Sequence, residues 1–277
     1  MTERKAGLIL VRTRQLDEHV AAFADELREA SGLDVQYIVD ERHLATPSIE
    51  PDIVSLNAAS YRKLGLFVPH DVAWRCGDYG LYMAWQAQPD YAFYWVIEDD
   101  VRIAGDAADF FRSCAAIGEF DLLATNLRPA DRSSYWYPHS VSSDATPYRC
   151  LFGIIRMSNT CVTHAFAKRR AQSAQFNRLA LWPNDEALVA TTAVQAGLRT
   201  MDFKSLDSSL YDDATFSVTA EPTIDVPRSG PARMLHPVRF VERPTQRSRK
   251  ANWDDAEKLP FRIRTAVIRR INQRFAW

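Results

Sequence analysis

Three acids close the most apolar segment of the chain. Glu98, Asp99 and Asp100 follow directly on Tyr91-Ala92-Phe93-Tyr94-Trp95-Val96-Ile97. Carboxylates at the edge of a core lose hydration, and their mutual repulsion raises the cost of ionising all three. A divalent cation relieves both: Mg²⁺ or Mn²⁺ takes carboxylate oxygens and keeps positions open for phosphate. Side chains alternate along a strand, so Glu98 and Asp100 share one side and Asp99 faces the other. The competing reading is an acidic strand end facing water. Other residues capable of chemistry lack a suggestive spacing. Cys76, Cys114, Cys150 and Cys161 form no CxxC pair or metal-finger pattern, and read as reduced core thiols of a cytoplasmic protein. His19, His43, His70 and His164 have no ligand partners at a suggestive spacing.

The elements that must position the acids are legible as apolar runs. Leu8-Ile9-Leu10-Val11 is a first strand, 16–30 a helix with Val20, Phe23, Ala24 and Leu27 on one face, and 35–39 a second strand. Strand–helix–strand at this spacing predicts a βαβ unit, hence a parallel sheet with ligands at the C-terminal strand ends. A helix over 77–88 leads into 91–97, whose seven consecutive apolar residues predict a central strand buried on both faces. A helix over 106–116 and strands over 121–125 and 151–157 follow, with 126–148 read as a long loop. Asn184 or Asp185 caps a helix through Ala196, ended by Gly197. Residues 204–233 lack periodicity and read as a second long loop.

Taken together, the chain resembles a glycosyltransferase of the GT-A fold. The apolar strand ending in Glu98-Asp99-Asp100 is similar to that family's DxD-type motif, although Glu98 replaces the first Asp. Asn184-Asp185-Glu186 at a helix start is similar to its acidic motif near the acceptor, and His236, in Arg233-Met234-Leu235-His236-Pro237-Val238, to a C-terminal metal-ligating His. The resemblance spans roughly residues 6–240. It implies a single α/β domain, Rossmann-like, with a mostly parallel central sheet flanked by helices. A nucleotide-sugar half would occupy about 1–125 and an acceptor half about 126–240, with a basic helical tail over 241–277. It also implies a nucleotide-diphosphate sugar donor, a UDP-sugar by preference, and a glycan or lipid-linked hydroxyl acceptor, as in surface polysaccharide biosynthesis.

In that reading Asp100 and His236 hold Mn²⁺ or Mg²⁺, which neutralises the departing diphosphate. Glu98 touches the metal, the ribose or neither. Arg12, Thr13, Asp40, Arg75, Asp78, Glu98 and Asp99 would line the nucleotide and diphosphate. Guanidinium geometry suits phosphate, so Arg12, Arg14 or Arg75 could grip it, although singly each reads as a surface charge. An inverting transfer needs a general base, for which Asp185 is the first candidate and Glu186 the second; helix capping is the simpler role for both. Tyr135, Trp136 and Trp182 offer flat faces for an acceptor sugar, or are buried loop anchors.

A sugar nucleotidyltransferase is the alternative enzyme, disfavoured because 11–15, Val-Arg-Thr-Arg-Gln, lacks a glycine-rich phosphate loop. A non-catalytic nucleotide- or sugar-binding protein is the other.

Composition bounds these readings. With 277 residues and 47% hydrophobic content the chain supports a sizeable core and is no disordered segment. Thirty-four basic against 35 acidic residues argue against a nucleic-acid binder. No stretch reaches the length of a membrane span, and the N-terminus lacks a secretory apolar region. The tail is the exception to neutrality. Residues 261–277 contain five Arg and no acid, with Ile263, Val267, Ile271 and Phe275 at helical spacing. Such a helix could lie peripherally on an anionic inner membrane face, dock on the domain or form a dimer contact.

Overall fold

The computed structural model describes residues 5–42, 44, 46–69, 71–118, 120–130, 146–175, 182–217 and 226–239. Tyr135, Trp136 and the 241–277 tail lie outside them. Among the described residues no helix is long and apolar enough to cross a membrane.

The architecture is a single mixed α/β domain around a seven-stranded sheet. Its strands are β1 (Lys5–Thr13), β2 (Asp34–Asp40), β3 (Ile53–Leu56), β4 (Tyr91–Glu98), β6 (Leu122–Pro129), β7 (Tyr148–Ser158) and β8 (Thr200–Asp202), in the order β3-β2-β1-β4-β7-β6-β8. Every pairing is parallel except those of β7, which runs against β4 and β6. Strand order reverses at β1, whose neighbours are β2 and β4, so a crevice opens beyond the C-terminal ends of β1 and β4.

Alternation along β1 and β4 explains the two-sided core. Leu8, Leu10, Tyr94 and Val96 face α2 (Ala58–Leu64), α4 (Asp78–Ala87), α6 (Asn159–Gln175) and α7 (Asp185–Gln195). Ile9, Val11, Trp95 and Ile97 face α1 (Glu18–Ser31) and α5 (Ala107–Ala116). The helices start where the sequence offers caps: Asp17 accepts from the Val20 N–H at 3.0 Å, and Asn184 from the Ala187 N–H at 3.0 Å. A short helix α3 (Val72–Arg75) precedes α4.

Three elements depart from the sequence reading. The expected 126–148 loop is partly strand, because β6 continues to Pro129 past a register shift at Asn126, whose φ is 55°, and β7 begins at Tyr148. Helix α6 has no counterpart in that reading. Its buried stripe, Cys161, Val162, Ala165 and Phe166, ends in the fully buried Arg169, a charge where helical periodicity calls for an apolar residue. The described ends of the 204–233 stretch, 204–217 and 226–233, carry regular pairing. Phe216 bridges to His236, and β9 (Arg233–Leu235) pairs antiparallel with β5 (Arg102–Ala104) in a second small sheet.

Candidate functional site

The small sheet solves a distance problem in sequence. β5 begins two residues after Asp100, and its pairing with β9 brings the following residue, His236, back to the acids. The Val238 N–H donates to the Asp100 carbonyl at 2.7 Å, and the His236 N–H to the Thr215 carbonyl at 2.8 Å. These bonds fix the backbone on both sides of the imidazole. His236 Nε2 lies 3.5 Å from Glu98 Oε2 and 3.5 Å from Asp100 Oδ1. One ligand atom from each of the three falls within 4.8 Å of the others. Two carboxylate oxygens and one imidazole nitrogen, half-buried and converging, fit a Mn²⁺- or Mg²⁺-type cation. Glu98, whose role the sequence leaves open, is thus placed with Asp100 and His236. Asp99 points elsewhere: the Thr13 hydroxyl donates to its Oδ2 at 2.6 Å across the β1–β4 crevice.

A second acidic centre adjoins the first through one arginine. Arg12 is the register partner of Glu98 on the neighbouring parallel strand, and its guanidinium pairs with the Glu98 carboxylate. Its Nη1 lies 3.7 Å from Asp185 Oδ2. Asp185 sits in the first turn of α7, where its Oδ2 accepts the Gly77 N–H at 2.7 Å and its Oδ1 the Glu186 N–H at 2.9 Å. Burial pushes the Asp185 carboxyl up to about 6, with Arg12 pulling in the opposite direction. Glu186 is only half-buried. Its Oε1 lies 3.4 Å from the Phe152 N–H on β7, one residue before Gly153, which lies beside Glu98 Oε2.

Gly77 makes room for this arrangement. A Cβ there would overlap the Arg12 guanidinium and come 2.7 Å from Asp185 Oδ2. Its φ is −60°, so the backbone would accept alanine; the guanidinium would not. Gly77→Ala is therefore expected to cost about 1–3 kcal/mol by forcing Arg12 from between its two acids. Denaturant unfolding measures this, and an unchanged midpoint would contradict the packing described.

Three residues assigned from sequence to the nucleotide or acceptor lie fully buried among protein partners. Arg75 is fully buried and held at both nitrogens of its fork by Asp71, at 2.6–3.0 Å, with Nη1 donating to the Trp182 carbonyl. It ties α3 to the segment leading into α7. Asp78 is fully buried and paired bidentately with Arg169, at 2.7 and 3.1 Å, joining α4 to α6. Trp182 is also fully buried, its ring 5.0 Å from that of Phe67 and beneath the Arg169 guanidinium. It is a core anchor and presents no face to a sugar. The sequence reading missed Arg169 and Gly77; a glycine at the N-terminal boundary of a helix was the one available signal.

Asp40, at the end of β2, lines a cavity of about 240 Å³ with Arg14, Leu16, Glu41 and Leu44. Burial alone would raise the Asp40 carboxyl, but the bidentate Arg42, at 2.7 Å to each oxygen, holds it below the usual range.

No family model matches the sequence, and no curated protein matches it. Solved structures resemble it in outline. A glycosyltransferase involved in glycosylation of the major capsid of PBCV-1 is 9% identical, covering 76% of this chain and 85% of its own, with a TM-score of 0.35. A putative glucose-1-phosphate thymidylyltransferase from Bacillus anthracis is 9% identical, covering 72% and 86%, with a TM-score of 0.39. The catalytic domain of Drosophila β1,4-galactosyltransferase 7 is 11% identical, covering 73% and 66%, with a TM-score of 0.37. At this level of likeness no residue role is carried across, so the site rests on its own geometry.

Proposed function

We propose that the chain is a divalent-cation-dependent glycosyltransferase, moving a sugar from a nucleotide-diphosphate sugar, UDP-sugars first, to a hydroxyl of a glycan or lipid-linked acceptor. The observation that carries this is the meeting of two acidic centres at the C-terminal ends of β1 and β4: Glu98, Asp100 and His236 on one side of Arg12, Asp185 on the other. Such an arrangement sets a charge-neutralising position beside the helix start that presents Glu186 as a proton acceptor, as group transfer to a hydroxyl requires. When bound, the cation supplies electrostatic stabilisation to the departing diphosphate. The cavity at the ends of β1 and β2 is the space for the nucleotide, with Arg14 and Asp40 at its wall. A lipid-linked acceptor would suit a membrane contact through 261–277.

Within the acidic pair the roles divide by exposure. Asp185 has both oxygens bonded to backbone N–H groups and is buried, so it orients Gly77 and Arg12. Glu186, half-buried and beside Phe152, accepts the acceptor proton at Oε1. Glu186→Gln is expected to lower kcat by about 10²–10⁴-fold with donor affinity kept within about twofold. Transfer assays with Mn²⁺ and a panel of UDP-, GDP-, CMP- and dTDP-sugars test this, and undiminished turnover would reject it. The pH profile carries a second sign. Asp185 is protonated below about 6 and then loses its hold on Arg12. Activity is therefore expected to rise with pH through about 6 and level above it, with that limb absent in Asp185→Asn. A profile flat from pH 5 to 8 would refute the coupling.

A further inference from the structure

We propose that Arg12 is a counter-ion shared between the two acidic centres, which a divalent cation at Glu98, Asp100 and His236 displaces from Glu98 towards Asp185. The inference rests on the cation-site reading above and goes beyond it, since it assigns to a residue outside the ligand set control over cation affinity.

The geometry has three parts. Arg12 and Glu98 are register partners whose side chains project from the same face of adjacent strands, so their ion pair is built into the sheet. That same carboxylate offers an oxygen to the cluster with Asp100 and His236. Arg12 holds Glu98 Oε1 while Oε2 faces His236, so a guanidinium and a divalent cation on the two oxygens of one carboxylate would repel each other in a partly desolvated site. On the far side, Arg12 Nη1 is buried and makes no hydrogen bond, with Asp185 Oδ2 3.7 Å away. A shift of under about 1 Å would turn that approach into a charge-assisted bond. Gly77 leaves the space in which the guanidinium sits, and its N–H already fixes the Asp185 oxygen that would receive it. The structure thus shows one cation with an engaged partner and a second acceptor prepared just out of reach.

The test is a double-mutant cycle on Mn²⁺ affinity, measured on the full chain by calorimetric titration with Mn²⁺ alone, without donor. Arg12→Gln is expected to tighten Mn²⁺ binding about tenfold by removing the competitor. Asp185→Asn is expected to weaken it about five- to tenfold, although Asp185 is not a ligand. In the Arg12→Gln background the Asp185→Asn effect should shrink to less than twofold. A mere through-space charge effect of Asp185 would persist there undiminished, and that result overturns the proposal, as does weaker Mn²⁺ binding by Arg12→Gln. If Arg12→Gln fails to fold, Arg12→Lys replaces it. One ammonium keeps the charge but cannot span both acids, so the Asp185→Asn effect should again vanish, and its survival counts against the proposal. Failure of the wild-type chain to bind Mn²⁺ would reject the cation site and the inference together. Binding without the coupling would reject the inference alone.

Discussion

Asp78→Ala is expected to lose about 3–5 kcal/mol of folding stability, the cost of leaving a buried charge without its partner. Asp78 and Arg169 are both without solvent exposure, and two of the guanidinium nitrogens bond to the carboxylate. Once the acid is gone, Arg169 keeps the Pro183 carbonyl at 2.6 Å and the rings of Tyr79 and Trp182, none of which carries a negative charge. Burial by itself disfavours the charged guanidinium, and it is Asp78 that reverses this. The pair sits where α4, α6 and the lead-in to α7 meet, so the damage should spread to the turn that presents Asp185. Chemical denaturation of the single variant and of Asp78→Leu combined with Arg169→Met measures the effect. The double variant should recover much of the loss, because a well-packed apolar pair avoids the desolvation that a lone charge suffers. A single-variant loss below about 1 kcal/mol would show that the pair does not hold these helices together.

Asp100→Ala combined with His236→Ala is expected to reduce transfer by on the order of 10³-fold or more, with little change in unfolding midpoint. The two side chains supply two of three converging ligand atoms, leaving Glu98 tied to Arg12 alone. Asp100 is 40% exposed at the side chain, and His236, 12% exposed, packs its ring 5.2 Å from that of Phe216 at the edge of the core. The stability cost of removing them should therefore stay near that of a partly exposed position, within about 1 kcal/mol. Transfer rates across a Mn²⁺ titration, paired with thermal unfolding of the same preparations, separate the two effects. Mn²⁺-stimulated turnover surviving in the double variant would place the cation elsewhere. A collapse of stability would instead assign Asp100 and His236 a structural role.

The pattern of what could be read in advance follows from the range of the interactions. The run 91–97 identifies itself as a two-sided central strand because every residue in it is apolar, and β4 is buried against helices on both faces. The start of α7 is equally local: Asn184, Asp185 and Glu186 carry their cap within one turn, and the observed bond from the Ala187 N–H needs nothing beyond it. Helix α6 was illegible for the opposite reason. Its stripe is interrupted by Arg169, a residue that makes sense only once Asp78 on another helix is known to face it. Arg75, Asp78 and Trp182 looked like ligand-binding side chains by type and spacing, and each is sealed in the interior by partners distant in the chain.

The site divides in the same way. Sequence by itself determined which residues could do chemistry at the end of β4 and the start of α7, since apolar periodicity and helix capping are short-range effects. It could not determine that Glu98 shares its carboxylate with Arg12, that His236 is brought back by a three-residue pairing of β5 with β9, or that the absence of a side chain at Gly77 admits a guanidinium beside Asp185. Those are decided by strand register and by burial, and both depend on which surfaces meet after folding. Charge follows burial: the same carboxylate is a solvated cap on an exposed helix and, as Asp185, an acid raised to about 6 in the interior, because only the folded chain removes its water.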